Sequence, residues 1–174
     1  MTSAKSSRAL AAALIFVMAS ASAEAGSVGA DVRIYPAGLI PAVRAEAPVA
    51  NGILLGQVGY NATDRRDWGE HEDESGGGFG MGAGWLRPAS KGWHFGVRLD
   101  SWWMQIDWED PGRRGSSDVW VLQPTAVVAW RRPSERWTWE LSAALGGEFN
   151  VSTDGEDVGE GWILLLGVGG QYGF

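Results

Sequence analysis

Four stretches of the chain alternate apolar and polar residues with period two, and each carries two aromatics ten residues apart on its apolar face. The pairs are Trp93 and Trp103, Trp120 and Trp130, Trp139 and Phe149, and Trp162 and Tyr172. Period two is the signature of a strand with chemically different faces. Ten residues at about 3.3 Å each reach about 33 Å along a strand. At a tilt of about 40° this becomes about 25 Å, the height of the apolar band between two aromatic girdles on a transmembrane barrel. A water-soluble core has no physical reason to repeat that interval in four strands.

The same alternation runs through the rest of the chain. Residues 28–35 set Val28, Val32 and Ile34 against Asp31, Arg33 and Tyr35. Residues 41–48 set Val43 and alanines against Arg44 and Glu46, and residues 53–62 set Leu54, Val58 and Tyr60 against Gln57 and Asn61. Residues 76–87 place Phe79, Met81, Ala83 and Trp85 opposite the column Gly78, Gly80, Gly82 and Gly84. In 93–103 the polar face holds His94, Arg98 and Asp100, and in 137–150 it holds Glu140 and Glu148. With 119–130 and 161–174 the total is eight strands. Pro48–Gly52, Pro88–Lys91 and Arg132–Glu135 read as short turns. Thr63–Ser75, Glu109–Ser117 and Ser152–Glu160 read as longer loops, while the connection near Pro36–Gly38 is short although it falls on the long side. The pattern predicts an all-β, eight-stranded antiparallel up-and-down transmembrane β-barrel with both termini on the periplasmic side.

A soluble barrel would share the alternation but turn its apolar face inward. The polar face here makes a poor wet surface, being mostly glycine in 76–87 and 161–174. The tryptophans at strand ends suit a lipid–water boundary. The apolar face is therefore expected to meet lipid, with every backbone group paired in a closed ring.

Residues 1–23 read as a secretory signal peptide: Lys5 and Arg8, an apolar run from Ala9 to Met18, then Ala21-Ser22-Ala23. The apolar run is too short for a spanning helix, which takes about 20 residues. Cleavage before Glu24 leaves one barrel domain, 24–174, with twelve cations and twenty-one acids, a formal charge of −9. So acidic a chain, with no basic cluster, argues against nucleic acid. The absence of cysteine excludes a lipoprotein anchor, a disulfide framework and thiolate metal ligands.

The final strand, with Leu164, Leu166, Val168, Tyr172 and Phe174 on one face, resembles that of small bacterial outer-membrane barrels of the OmpA transmembrane, OmpX and OmpW kinds. The resemblance covers the whole mature chain in pattern. It implies location in the bacterial outer membrane and contact with outer-membrane lipid. It also implies recognition of Tyr172 and Phe174 by the barrel-assembly machinery, and a monomeric state. It does not imply an activity, because barrels of this class serve adhesion, lipid modification, transport and plain structure.

The inward positions carry mixed charge: Asp31, Arg33, Arg44, Glu46, Arg98, Asp100, Glu140 and Glu148. An eight-stranded lumen is just wide enough to be filled by side chains. The expectation is an ion-pair plug in which arginine forks bind carboxylates; the alternative is a gated ion path. The glycine column fits strand coiling or room for a large residue from the opposite wall; its alternative is a lumen that carries a small apolar molecule. A lipid-modifying hydrolase or acyltransferase would need a positioned His–Ser–carboxylate set. His71, with Glu72, Asp73 and Ser75, has the right residues in an acidic loop that does not fix their geometry, and His94 sits beside a periplasmic turn. The loop acids could hold a hard cation but lack EF-hand spacing, and read first as a solvated rim. Arg65, Arg66, Arg113 and Arg114 are placed to pair with these acids or with lipid phosphates. The reading is a non-enzymatic barrel with a structural or surface-interaction role, without metal or cofactor.

Overall fold

The computed structural model describes residues 26–67 and 69–174, so the expected signal peptide lies outside the described residues. Eight strands follow one another: β1 Ser27–Tyr35, β2 Gly38–Val49, β3 Gly52–Arg66, β4 Asp73–Pro88, β5 Trp93–Asp110, β6 Arg113–Ser134, β7 Trp137–Asp154 and β8 Gly161–Gly173. Each pairs antiparallel with its chain neighbours, and β8 returns to β1 to close the ring. The closing seam runs from Ser27 opposite Gly173 to Ile34 opposite Leu166. Closure matters because a spanning sheet cannot leave an unpaired edge in hydrocarbon.

Side-chain alternation then sorts residues to two environments. Val97, Leu99, Leu141, Leu145, Leu164, Leu166 and Val168 point out and are exposed, while Arg98, Asp100, Glu140, Ala144, Ile163 and Leu165 point in and are buried. The interior is only partly polar. Ile40, Leu55, Leu86, Trp102, Met104, Ile106, Trp108, Val119, Val121, Val127 and Leu165 form an apolar cluster inside the ring.

Three of the sequence-based loop boundaries need correction. The segment expected to loop over Glu109–Ser117 is almost entirely strand: β5 runs to Asp110 and β6 starts at Arg113. The turn between them is Pro111-Gly112, where Gly112 has φ of 81°. Proline before a left-handed glycine is what a type II turn demands. The connections expected over Thr63–Ser75 and Ser152–Glu160 shrink to the segments between Arg66 and Asp73 and between Asp154 and Gly161. The reason is physical. Beyond the apolar band the outward face turns polar, and on β5 the inward face instead carries the buried Met104, Ile106 and Trp108, so the alternation reverses phase while the backbone ladder continues.

At the opposite end the turns are tight. Lys91 and Gly92 have φ of 54° and 85°, and Trp93 N–H donates to Ser90 O at 3.0 Å. Positive φ at both central residues is the type I′ requirement that matches strand twist. On β7 the register against β6 shifts beside Trp120 and Val121, because Trp120 faces Ser152 while Val121 faces Asn150. Val151 is the extra residue of this bulge, and it re-phases the outer end of β7.

Candidate functional site

The interior is built from arginine–carboxylate pairs supplied in short strand segments. Residues two apart on a strand share a face. Three strands use this: Arg33 Nε lies 3.2 Å from Asp31, Arg44 Nε 3.1 Å from Glu46, and Arg98 Nε 2.9 Å from Asp100. Contacts across the lumen then join the strands. Arg44 forks onto Glu140, with Nη1 and Nη2 each donating at 2.9 Å. Arg33 Nη1 and Gln57 Nε2 donate to Asp100 at 2.9 and 2.6 Å. Arg131 Nη2 donates to Glu46 at 2.6 Å, and its Nε lies 3.4 Å from Glu140.

This central group balances. Arg33, Arg44, Arg98 and Arg131 face Asp31, Glu46, Asp100 and Glu140, and all eight are buried. Neutrality is required, since an uncompensated charge in such a site carries a large desolvation cost. Glu148, the remaining residue of the expected lumen set, belongs to a second group nearer the loops. There Arg65 bonds both Glu148 and the Gly159 carbonyl. Gln123 links Glu148 to the Trp102 indole, at 2.5 and 2.8 Å. Arg65, expected to pair with the loop acids or lipid phosphates, does pair with Glu74 but reaches inward to Glu148 as well. Sequence reading missed Glu74, Arg131 and Trp102, which lie in the expected loop, at a strand end, or as an apolar residue on a face taken to be polar.

The second group also closes the mouth. Glu74 is 1% exposed. Its carboxylate accepts the N–H of Gly159 at 2.9 Å, of Glu70 at 2.9 Å and of His71 at 3.3 Å. Gly159 and Glu70 belong to different loops, so one carboxylate ties both over the barrel. Val158, 3% exposed, joins the interior apolar cluster from above.

His71 fastens the same cap. Its side chain is 8% exposed and stacks on Trp108 with ring centroids 4.4 Å apart. Nδ1–H donates to Asp110 Oδ2 at 2.8 Å and Nε2–H to the Asp157 carbonyl at 3.0 Å. Both partners accept, so only the imidazolium satisfies both. Burial pushes the His71 pKa down, but the Asp110 hydrogen bond and charge outweigh it, and the net shift is upward from 6.5. The bond from His71, then the Glu72 N–H, holds Asp110 below its ordinary 3.8. The signs give a window. The His71 contribution is complete below about pH 6.5 and fades as pH rises through its raised folded value; the Asp110 contribution is complete above about pH 4 and fades below. In an NMR titration His71 is expected to titrate above 6.5, and Asp110→Asn to lower that midpoint. An unshifted midpoint would show that the latch does not form.

This geometry bears on the enzyme alternative. Both His71 nitrogens are engaged as donors, so the ring has no free lone pair, and neither contacts Ser75. Ser75 points outward beside Asp73, Asp107 and Glu109. His94 Nδ1 pairs with the Gly92 carbonyl at 3.0 Å in its turn. Among the described residues no three His, Asp or Glu side chains converge as a metal site. The glycine column faces filled space: a Cβ on Gly80 would meet the Trp102 ring at 2.3 Å, and one on Gly82 the Asp100 carboxylate at 1.9 Å.

Outside, aromatics form two belts. Tyr60, Phe79, Trp103 and Trp120 stand directly opposite one another across β3 to β6. Phe149 and Trp162 are exposed on β7 and β8, Trp162 to 87%. At the turn end Trp93 pairs with Trp130 and Trp137 with Tyr172, with Trp139 stacked on Trp137 at 6.2 Å. Phe174 meets Tyr172 edge-on at 6.5 Å. Tyr60, Phe79 and Trp137 thus join the eight expected girdle residues.

Neither a family model nor a curated protein sequence matches the chain. Solved structures do. The N-terminal β-barrel domain of Pseudomonas aeruginosa OprF is 14% identical with a TM-score of 0.54, covering 85% of this chain and 97% of that one. Neisserial surface protein A is 11% identical with a TM-score of 0.51, covering 86% and 95%. Ail, the attachment invasion locus protein of Yersinia pestis, bound to the heparin analogue sucrose octasulfate, is 11% identical with a TM-score of 0.51, covering 86% and 97%. The fold is that of the small outer-membrane β-barrels.

Proposed function

We propose that the protein is a non-enzymatic barrel of the bacterial outer membrane, closed by its own side chains, whose capped acidic end forms a rigid surface. The observation that carries this reading is the joint arrangement of two outward aromatic belts around a band of exposed Val and Leu, enclosing a neutral, buried ion-pair network. Lipid outside and packed, ion-paired side chains inside account for that arrangement. The two loops gathered on Glu74 favour a shaped outer surface over flexible tails. Two of the similar structures are a surface protein and an attachment invasion locus protein, which is compatible with a role in surface contact. The end that carries the loops holds fourteen acids and four arginines over 64–74, 107–118 and 154–160. Its charge disfavours polysulfated ligands of the kind seen with Ail.

Transport through the lumen loses support because Trp102 and Asp100 occupy the space above the glycines. Planar-bilayer recording tests the point. The purified mature chain is expected to give no steady single-channel current, since the network crosses the lumen from β2 to β7 and from β1 to β5. Sustained, sizeable conductance would contradict the plug and favour transport.

A further inference from the structure

The two ends of the barrel have opposite charge. The turn end carries the exposed cations Arg87, Lys91, Arg132 and Arg136, with Glu135 as the one exposed acid there among the described residues. None of the four cations has a carboxylate within salt-bridge distance among the described residues. Three stand beside outward aromatics. Arg87 is directly opposite Phe95, and Arg132 directly opposite Trp139. Arg136 Nη1 donates to the Tyr172 hydroxyl at 3.0 Å.

We propose that this arc of arginines, on β4, β6 and the turn into β7, binds the phosphate groups of an anionic phospholipid leaflet, an inference that rests on the membrane reading above. An aromatic belt marks the depth of the lipid–water boundary. An arginine beside it can lay its apolar stem along the ring and raise its head to the headgroup level. The planar guanidinium matches phosphate oxygens bidentately, which a lysine arc would do less well. Charge complementarity therefore selects an anionic over a zwitterionic leaflet at this end.

The probe is fluorescence quenching of the chain's tryptophans after folding into phosphatidylcholine vesicles that contain either brominated phosphatidylglycerol or brominated phosphatidylcholine. At equal mole fraction and low salt, the brominated anionic lipid is expected to associate about threefold more strongly, given the attraction of each surface arginine. The advantage should vanish near 1 M salt, where the screening length falls to about 3 Å. The variant R87Q/R132Q/R136Q should lose the preference while keeping β circular dichroism and normal quenching by the zwitterionic lipid. Equal association of both lipids with the wild-type chain, as an arc meant for an acidic soluble partner would give, overturns the proposal. So does a preference unchanged by salt or by the triple substitution. Should that variant not fold, the salt series on the wild-type chain and Arg136→Gln alone decide the matter. Absence of quenching by either lipid would instead sink the membrane reading itself.

Discussion

Arg44→Met is expected to lower stability in vesicles by about 3–5 kcal/mol, the range for breaking a buried ion pair from one side. Arg44 is the most connected cation of the lumen. It forks onto Glu140, contacts Glu46 at 3.1 Å and lies 3.6 Å from Asp31. Its side chain is 3% exposed. Methionine fills part of the volume but leaves Glu140 with only Arg131 and Glu46 with one fewer partner. Denaturant titration with Trp fluorescence measures the loss. Adding Glu140→Leu to the variant should recover part of it, because removing both members of a buried pair is often close to neutral. A single variant as stable as the wild type would mean that water, not the network, satisfies these charges.

Leu99→Arg is expected to cost about 2–4 kcal/mol, the penalty for arginine on the lipid face near the bilayer midplane. Leu99 lies on β5 between Trp93 and Trp103, six and four residues from them, and is 50% exposed. Its neighbours Arg98 and Asp100 point inward, so the substitution leaves the ion-pair network in place. The cost arises from the surroundings of the barrel and not from its packing. In water the same change on an exposed residue would be close to neutral.

The parts of the fold that were legible in the sequence are those where lipid imposes a pattern. Val97, Leu99 and Trp103, or Leu164, Leu166 and Val168, form the exposed apolar face that the membrane reading requires, and the alternation follows. Above the band that pressure ends. Glu109, Arg114 and Ser116 are outward polar strand residues beyond the point where the apolar side chains, Ile106 and Trp108 among them, switch to the inner face, so they read as loop although β5 and β6 pair through them. The lumen was half legible. Charged residues stood out at Asp31, Arg33, Arg44 and Asp100, but Arg131 lies one residue past the run that revealed β6. Arg65 and Glu74 lie in segments without alternation. Trp102 was hidden by Trp103, since adjacent tryptophans give no phase. The assembly of His71, Glu74, Asp110 and Gly159 into one cap rests on closure of the ring, which brings residues 85 positions apart into contact and leaves no local mark.

An arginine depth profile along the outward positions of β5 shows whether the exposed Val, Leu and aromatic band faces lipid. Arginine is placed singly at Phe95, Val97 and Leu99, and the folding free energy is measured in vesicles. A band buried in a bilayer predicts a cost that is largest at Leu99, about 2–4 kcal/mol, and smallest at Phe95, where the headgroups begin and the penalty falls to about 0–1 kcal/mol. A flat profile, or arginine tolerated at all three positions, would contradict it and place that face in water.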